Sequence, residues 1–173
     1  MMIFWALALF LTTPPLPARA EDSPPIQRHL AYLHLGDSLE TVQKIYPPAR
    51  DWPSYVEPRG HVTRIKVESY FAKKFPQKVD TIWLGFKGGS LVEIQLIYDE
   101  EYTAQKTVED LAGDLALIYG EASRTEDKFW WMDDATVLMV FYTQVPMIRA
   151  GRRVVEMRTT IQLMERALFR RRD

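Results

Sequence analysis

The chain has 173 residues, with 22 basic and 23 acidic side chains, a formal net charge of −1 and no cysteine. The balanced charge argues against a general nucleic-acid-binding protein, which needs a basic excess. The lack of cysteine excludes disulfides, thiolate metal sites and cysteine nucleophiles. An apolar content of 47% is too high for a disordered chain.

The first 20 residues have the pattern of a secretory signal peptide. Residues 2–11 form an apolar run, and Ala18-Arg19-Ala20 precedes two acids, as at a cleavage site. Ten apolar residues span about 15 Å as a helix, too short for a hydrocarbon core of about 30 Å. An uncleaved anchor is the alternative. We expect cleavage near Ala20 and a periplasmic or secreted protein, which without cysteine is not a lipoprotein.

The rest of the chain predicts one α+β domain, an antiparallel sheet with two helices packed on it. Residues 21–28 are polar and contain proline, which predicts a flexible leader before the domain at residues 29–163. Residues 164–173 form a basic C-terminal tail. The order of elements in residues 29–99 and 100–163 indicates a tandem helix-plus-three-strand repeat, with a single unrepeated fold as the alternative.

The elements of the first half are short. Residues 29–35 predict a strand, and Asp37 with Glu40 predicts the capping box of a helix. The prolines within residues 47–61 end that helix and predict a long loop or flap. Alternating apolar residues at 63–71 predict a half-buried strand.

A β-hairpin over residues 80–98 is the clearest feature of the sequence. Two alternating runs flank Gly88-Gly89-Ser90, and a three-residue loop would place the apolar members of both runs on one face. Trp83 and Gln95 then lie on the outer face. The predicted pairs are Phe86 with Val92, Leu84 with Ile94, and Ile82 with Leu96.

The second half begins with a helix predicted over residues 103–119. Its apolar stripe runs from Val108 through Leu111 and Leu115 to Ile118 and Tyr119. The other predicted elements are strands at 129–132 and 136–142 around an Asp133-Asp134 turn, a loop at 144–152, a last strand at 155–161, and a terminal segment that is either a short helix or a frayed tail.

The segment Gly36-Asp37-Ser38-Leu39-Glu40-Thr41-Val42, the proline-rich loop and the IWLGFKGGSLVEIQ hairpin together resemble the SmpA/OmlA family of outer-membrane-assembly modules. The tandem pattern also resembles the β-lactamase-inhibitor-protein architecture. The resemblance implies a scaffold that binds other proteins through its sheet and loops. The sequence lacks the lipidated cysteine of the first family and the disulfides of the second, so no functional residue is carried over.

No catalytic motif for nucleophilic, phosphate-binding, dinucleotide or zinc-protease chemistry is present. His29 and His34 would face opposite sides of one strand, whereas a metal site needs three or four convergent ligands. Asp133-Asp134 is explained by turn chemistry, and the acids at 99–101 by the dipole of the following helix. We expect a protein that is not an enzyme and that has no metal and no cofactor.

Aromatic residues provide the candidate partner surface. Adjacent Trp130 and Trp131 on a strand must face opposite sides, so one of them is a core residue and the other is exposed or capped. An exposed aromatic cluster marks a partner surface, whereas the 47–61 loop could instead bury it. The candidate residues are Trp52, Tyr55, Trp83, Gln95, Trp130 and Trp131.

Residues 149–173 hold eight arginines and three acids, a net charge of +5. One interpretation is weak contact with anionic phospholipid, which attracts basic residues near its surface. The alternative is a solvated strand face and a polar tail, with pairing between these arginines and the acidic stretch at residues 99–114 as a further option. The basic patch candidates are Arg152, Arg158, Arg170, Arg171 and Arg172.

The sequence therefore predicts an exported, non-enzymatic envelope protein that binds another envelope protein and no nucleic acid. One alternative is a periplasmic carrier of a small ligand or lipid, with an apolar pocket between the sheet and the helices. A second alternative is a hydrolase whose site matches no known motif.

Overall fold

The computed structural model describes residues 24–48, 52, 61–69, 72 and 74–169. It confirms the predicted α+β class with an antiparallel sheet. None of the described helices is both long and apolar enough to span a bilayer. The elements are β1 (His29–Leu30), β2 (Leu33–His34), α1 (Leu39–Ile45), β3 (Thr63–Glu68), β4 (Val79–Lys87), β5 (Ser90–Tyr98), α2 (Glu100–Gln105), α3 (Val108–Tyr119), β6 (Ser123–Arg124), β7 (Lys128–Met132), β8 (Thr136–Arg149), β9 (Arg152–Glu165) and α4 (Arg166–Phe169).

The main sheet joins two antiparallel meanders, and its strand order is β3-β4-β5-β9-β8-β7-β6. The last strand of each meander lies at the centre, where β5 pairs with β9. The boundary between the two predicted halves falls between β5 and α2. The second half has one more strand in the sheet than the first and two helices before its strands, so the two halves are not equal copies of one pattern. The internal repeat stays a prediction.

One face of the sheet, called here the inner face, forms the core with the helices. Val42 of α1 and Val108 of α3 are each at most 1% exposed. Leu33 from the small β1-β2 sheet belongs to the same cluster. The sheet contributes apolar side chains from alternate positions, among them Ile65, Val67, Ile82, Leu84, Ile94, Leu96, Leu138, Val140, Ile161 and Leu163.

Tyr46, which follows α1, is fully buried in this core. Its hydroxyl donates a hydrogen bond to the carbonyl of Ala31 at 2.7 Å. Burial raises the pKa of Tyr46 well above its ordinary value. The phenol therefore connects α1 to the turn between β1 and β2.

The N-terminal part of the domain differs from the prediction at two places. Residues 29–35 form a tight hairpin instead of one strand, because Ala31 and Tyr32 adopt positive φ angles of 52° and 66° and reverse the chain. His29 and His34 consequently pair across the hairpin with ring centroids 5.4 Å apart, so the expectation that they face opposite sides was wrong.

The capping box predicted for α1 is also wrong. The side chain of Ser38, not Asp37, accepts a hydrogen bond from the N–H of Thr41 at 3.2 Å and begins the helix. The Asp37 carboxylate accepts instead from the N–H of His34 at 2.8 Å. Asp37 thus belongs to the end of the β1-β2 hairpin.

The predicted flexible leader does not extend to the described residues 24–28. Ile26 is 6% exposed, and its N–H donates to the Asp133 carboxylate at 2.9 Å. Arg28 donates to the Thr136 hydroxyl at 3.1 Å. These contacts fix the segment against the turn between β7 and β8. The predicted signal peptide lies outside the described residues.

The helix predicted over residues 103–119 is two helices. Asp99 caps α2, and Thr107 begins α3 with a capping box in which its hydroxyl accepts from the N–H of Asp110 at 3.1 Å. The Thr107 cap satisfies backbone N–H groups that would otherwise bond within a continuous helix, so the helix is interrupted at Lys106. Ile118, which was placed on the buried stripe, is 56% exposed.

The hairpin of β4 and β5 has a two-residue turn rather than the predicted three-residue loop. Gly88 and Gly89 form the turn with positive φ angles of 60° and 84°. Phe86 therefore pairs with Leu91, and Val92 is an extra residue at a β-bulge that shifts the register. The bulge restores the two predicted pairs beyond it, Leu84 with Ile94 and Ile82 with Leu96.

The last two strands are much longer than predicted. The loop expected at residues 144–152 is instead paired β-structure from Tyr142↔Thr159 to Arg149↔Arg152. Only Ala150 and Gly151 form the turn, with φ angles of 48° and 75°. We call residues 142–159 the projecting arm. At the C-terminal end, β9 and α4 include residues 164–169 of the predicted tail.

We predict that Gly85→Ala lowers the free energy of unfolding by about 1–3 kcal/mol, the usual cost of overpacking. A Cβ at Gly85 would lie 2.8 Å from Glu93 Cβ and 2.8 Å from Val62 Cγ1. The matched control is Gly113→Ala in α3, where a Cβ meets nothing within 4 Å. Helix propensity should make this variant about 0.5–1 kcal/mol more stable than wild type. Urea unfolding of both variants tests the pair, and equal stability of the two would contradict the packing at Gly85.

Candidate functional site

Strand pairing aligns one residue from each of six strands on the outer face of the sheet, opposite α1 and α3. Because side chains alternate along a strand, residues that are paired in register share a face. We call this set the outer row. In order across the sheet it consists of Lys66, Trp83, Gln95, Gln162, Met139 and Trp130.

The outer row brings together three of the predicted surface residues. Trp83 and Trp130 are both half-buried and lie four strands apart, a distance of about 19 Å at the usual strand spacing. Between them, Gln95 is 9% exposed and Gln162 is 2% exposed. The row therefore has an accessible aromatic residue towards each end and buried amides in the middle.

Trp52 and Trp131 do not join this surface, which corrects the predicted cluster. The Trp131 indole donates to the Gly120 carbonyl at 2.8 Å and is buried on the inner face, where it ties β7 to the end of α3. The Trp52 indole donates to the Lys66 carbonyl at 3.1 Å, and its ring packs against the same inner cluster. Tyr55, Arg170, Arg171 and Arg172 lie outside the described residues.

A buried carboxylate lies beside the outer row. The side chain of Glu93 is 3% exposed and accepts from Arg64 Nε at 3.3 Å and from Arg64 Nη2 at 2.5 Å. The Gln162 amide also donates to it. Charge-assisted bonds of this kind offset the cost of burying a carboxylate. Glu93 was not among the predicted site residues. The pattern that could have identified it is an acidic residue within an alternating, largely apolar strand.

A second ionic cluster links the projecting arm to α2, from Arg158 near the base of the arm to Arg149 beside its turn. Arg149 donates to Glu100 at 2.5 Å and also pairs with Glu156 at 2.5 Å. Arg158 pairs with Glu156, and its Nη2 is 3.8 Å from Glu100. The Arg158 side chain is only 9% exposed, so its prediction as part of an exposed basic patch was wrong. Arg152, by contrast, is exposed near the tip of the arm.

The cluster borders a shallow cleft of about 360 Å³ between α2 and the arm. A hydrogen bond and the positive charge from Arg149 lower the pKa of the Glu100 carboxyl. Among the described residues, Arg158 Nη1 has no hydrogen-bond partner. The acids and arginines in this cleft already neutralise one another, so its geometry indicates a structural clasp for the arm. The residues lining the cleft are Glu100, Thr103, Ala104, Arg149, Glu156, Met157 and Arg158.

The other polar groups singled out by the sequence have structural contacts. The Asp133 carboxylate accepts from the N–H groups of Ala135 and Thr136 at 2.8 and 2.7 Å, as expected for a turn residue. Asp99 caps α2, and Glu100 and Glu101 lie in its first turn. Within the described ranges, no three His, Asp or Glu side chains are grouped so that they could hold a metal ion.

No family model, characterised protein or solved structure matches the chain. The resemblance to outer-membrane-assembly modules and to the β-lactamase-inhibitor-protein architecture therefore stays a prediction. The outer row and the projecting arm are the features on which a functional argument rests.

We predict that Glu156→Gln lowers the free energy of unfolding by about 1–3 kcal/mol, because it leaves the buried guanidinium of Arg158 poorly compensated. Glu100→Gln should cost less, since the Glu100 side chain is 63% exposed and solvent screens its ion pairs. Urea unfolding at neutral pH measures both variants. A larger loss in Glu100→Gln would contradict the assignment of Glu156 as the main partner of Arg158.

The lowered pKa of Glu100 also predicts a pH dependence. Its ion pair with Arg149 contributes stability at pH values above the ordinary pKa of glutamate, and this contribution is lost as the pH falls through the lowered folded-state pKa. Wild type and Glu100→Gln should therefore differ in unfolding free energy at neutral pH and converge in acid. A difference that persisted in strong acid would assign the effect of the substitution to something other than this charge.

Proposed function

We propose that the protein is an exported, non-enzymatic protein of the cell envelope that binds another envelope protein through the outer face of its sheet. The observation that carries this proposal is the outer row, with half-buried Trp83 and Trp130 on one face. The inner face is covered by α1 and α3. Among the described helices, only α4 covers part of the outer face, where it contributes Leu168 and Phe169 to a smaller cluster.

The chemistry of the outer row suits protein recognition. Tryptophan combines a large apolar area with an N–H donor and is enriched among residues that dominate binding energy. From Lys66 to Trp130 the row is about 24 Å long at the usual strand spacing. That length is similar to the side length of a square patch of about 800 Å². This is the area that one partner contributes to a standard interface.

Arg64 adds a charged contact at the margin of this face. Its guanidinium binds Glu93 but the side chain remains 42% exposed, so part of it is accessible to a partner. A guanidinium already oriented by a buried carboxylate loses little freedom on binding, which favours specific recognition of an acceptor.

The alternative of a small-ligand carrier has less support. The space between the sheet and the helices is filled by side chains, and Leu33, Val42, Tyr46 and Ile82 are each 0% exposed. A carrier needs a concave apolar pocket of a few hundred Å³. The close packing on the inner face favours an outer docking surface over an internal ligand.

Photo-crosslinking in intact cells tests the docking surface. A photoreactive phenylalanine analogue at Trp83 or at Trp130 should each give a cross-link to the same envelope protein. The matched control is the same analogue at Leu117 of α3, which is 88% exposed and lies away from the outer face. Adducts at Leu117 alone, or no adduct at either tryptophan, would overturn the proposed surface.

Truncation of the same residues gives the energetic prediction. Trp83→Ala and Trp130→Ala should each weaken binding of the cross-linked partner by about 2 kcal/mol, or roughly 30-fold, as expected for a tryptophan that contributes strongly to an interface. Leu117→Ala should leave the dissociation constant unchanged. Titration calorimetry with the purified partner measures this difference, and equal affinities of all three variants would refute the assignment.

Export rests on the pattern in residues 1–20 and has its own test. The form recovered from the envelope should have a mass that corresponds to a chain beginning at Glu21. Intact mass spectrometry of the fractionated protein measures this. Recovery of the uncleaved chain from the cytoplasm would contradict export.

A further inference from the structure

The projecting arm extends beyond the rest of the sheet. Pairing of β7 with β8 ends at Lys128↔Phe141, and pairing of β5 with β9 ends at Ile97↔Thr160. Beyond these points β8 and β9 pair with each other as far as Arg149↔Arg152. At the usual rise of a strand, this part is about 23 Å long. Its base is fixed to α2, where Thr103 Oγ1 accepts from the N–H of Thr159 at 3.1 Å.

Exposed apolar side chains are concentrated in the arm. Single exposed apolar residues are normal on a protein surface, but a group of them indicates a contact surface. Eight large apolar residues are exposed in the described part of the chain, and four of them belong to the arm. These four are Met147 at 36%, Ile148 at 73%, Val155 at 64% and Met157 at 49% exposure.

The tip of the arm adds positive charge to this apolar surface. Arg149 and Arg152 flank the two-residue turn, and Arg153 follows. Within the part of the chain that the structure describes, neither Arg152 nor Arg153 has an ion-pair partner, whereas Arg149 is held by Glu100 and Glu156. The tip therefore presents two uncompensated exposed guanidinium groups next to apolar side chains.

The arrangement fits a fluid anionic surface better than a folded protein partner. Ile148, Val155 and Met157 lie on one face of the arm, and Met147 lies on the other, because side chains alternate along each strand. A protein docking on the first face would leave the exposed arginine and methionine of the second face uncovered, whereas a lipid interface surrounds the tip. Pro146 lacks an N–H donor, which makes the β8 edge a poor template for an added strand.

We propose that the tip of the projecting arm binds the surface of an anionic phospholipid bilayer. Arg152 and Arg153 contact lipid phosphates, while Ile148 and Val155 enter the boundary between headgroups and acyl chains. Each basic residue near such a surface strengthens binding by about fivefold, so the two arginines together contribute about 25-fold. This contact is independent of the protein-binding surface proposed above, since the outer row lies on the body of the sheet.

Vesicle co-sedimentation tests the role of the arginines. The purified protein beginning at Glu21 contains every described residue and should bind vesicles of phosphatidylglycerol mixed with phosphatidylcholine, but not vesicles of phosphatidylcholine alone. Arg152→Ala combined with Arg153→Ala should reduce this binding about 25-fold. The matched control is Arg124→Ala with Lys128→Ala, which removes the same charge from exposed positions on β6 and β7.

The control variant should keep most of the binding, because its charges lie far from the tip of the arm. Equal losses in the two double variants would overturn the proposal in favour of a nonspecific effect of net charge. Undiminished binding of the arm variant, or no binding of wild type to anionic vesicles, would also overturn it. Circular dichroism melts of all proteins confirm that each variant is folded.

A fluorescent label tests insertion of the tip directly. Since the chain contains no cysteine, Ile148→Cys and Leu117→Cys can each be labelled at one position with an environment-sensitive dye. Anionic vesicles should shift the emission of the dye to the blue at position 148 and not at 117. A shift at 117 alone, or at neither position, would overturn the proposal. The cross-links at Trp83 and Trp130 do not depend on these outcomes, so the two proposals can fail separately.

Discussion

The antiparallel pairing of β5 with β9 is the contact on which the rest of the molecule depends. It joins the two meanders into one sheet, with Leu96↔Ile161 directed towards the helices and Gln95↔Gln162 towards the opposite side. A shift of one residue here would exchange these sets and bury amides beneath the helices. The same register aligns the two tryptophans of the outer row, although they belong to different meanders.

The bulge at Val92 gives the outer face its division into polar and apolar parts. On one side of it, Leu91 pairs with Phe86 and is buried in the inner core, while Val92 joins the cluster under α4. On the other side, Glu93 lies opposite Gly85, which has no side chain to occupy its space. The β-bulge redirects the side chains of β5 at this point. It thus separates the apolar part of the outer face under α4 from the polar part around the Glu93 carboxylate.

Local patterns in the sequence predict the parts of the fold that are set by neighbouring residues. Alternation correctly gives Leu84↔Ile94, because each side chain repeats on its face with a period of two. The burial of Arg158 could not be predicted because part of its surroundings comes from α2, which is distant in the chain and places Glu100 beside the guanidinium. Likewise, Pro146 and Gly151 led to the prediction of a loop at residues 144–152. A proline is tolerated on an edge strand, however, and Gly151 lies in the two-residue turn between β8 and β9. The outer row depends on strand pairing that no local pattern encodes.

The central position of β9 also determines the order in which the fold can be completed. The partners in the β5–β9 pair are 63–71 residues apart along the chain, from Ile97↔Thr160 to Glu93↔Met164. Each meander can form from local contacts, but the loop closure that joins them needs residues 160–164, far from β5 along the chain. During synthesis, the edge of β5 in the first meander stays unpaired until β9 has been made. While β5 is unpaired, its edge can pair with another chain, so the partly folded protein is prone to aggregation although the folded protein has no such edge at β5.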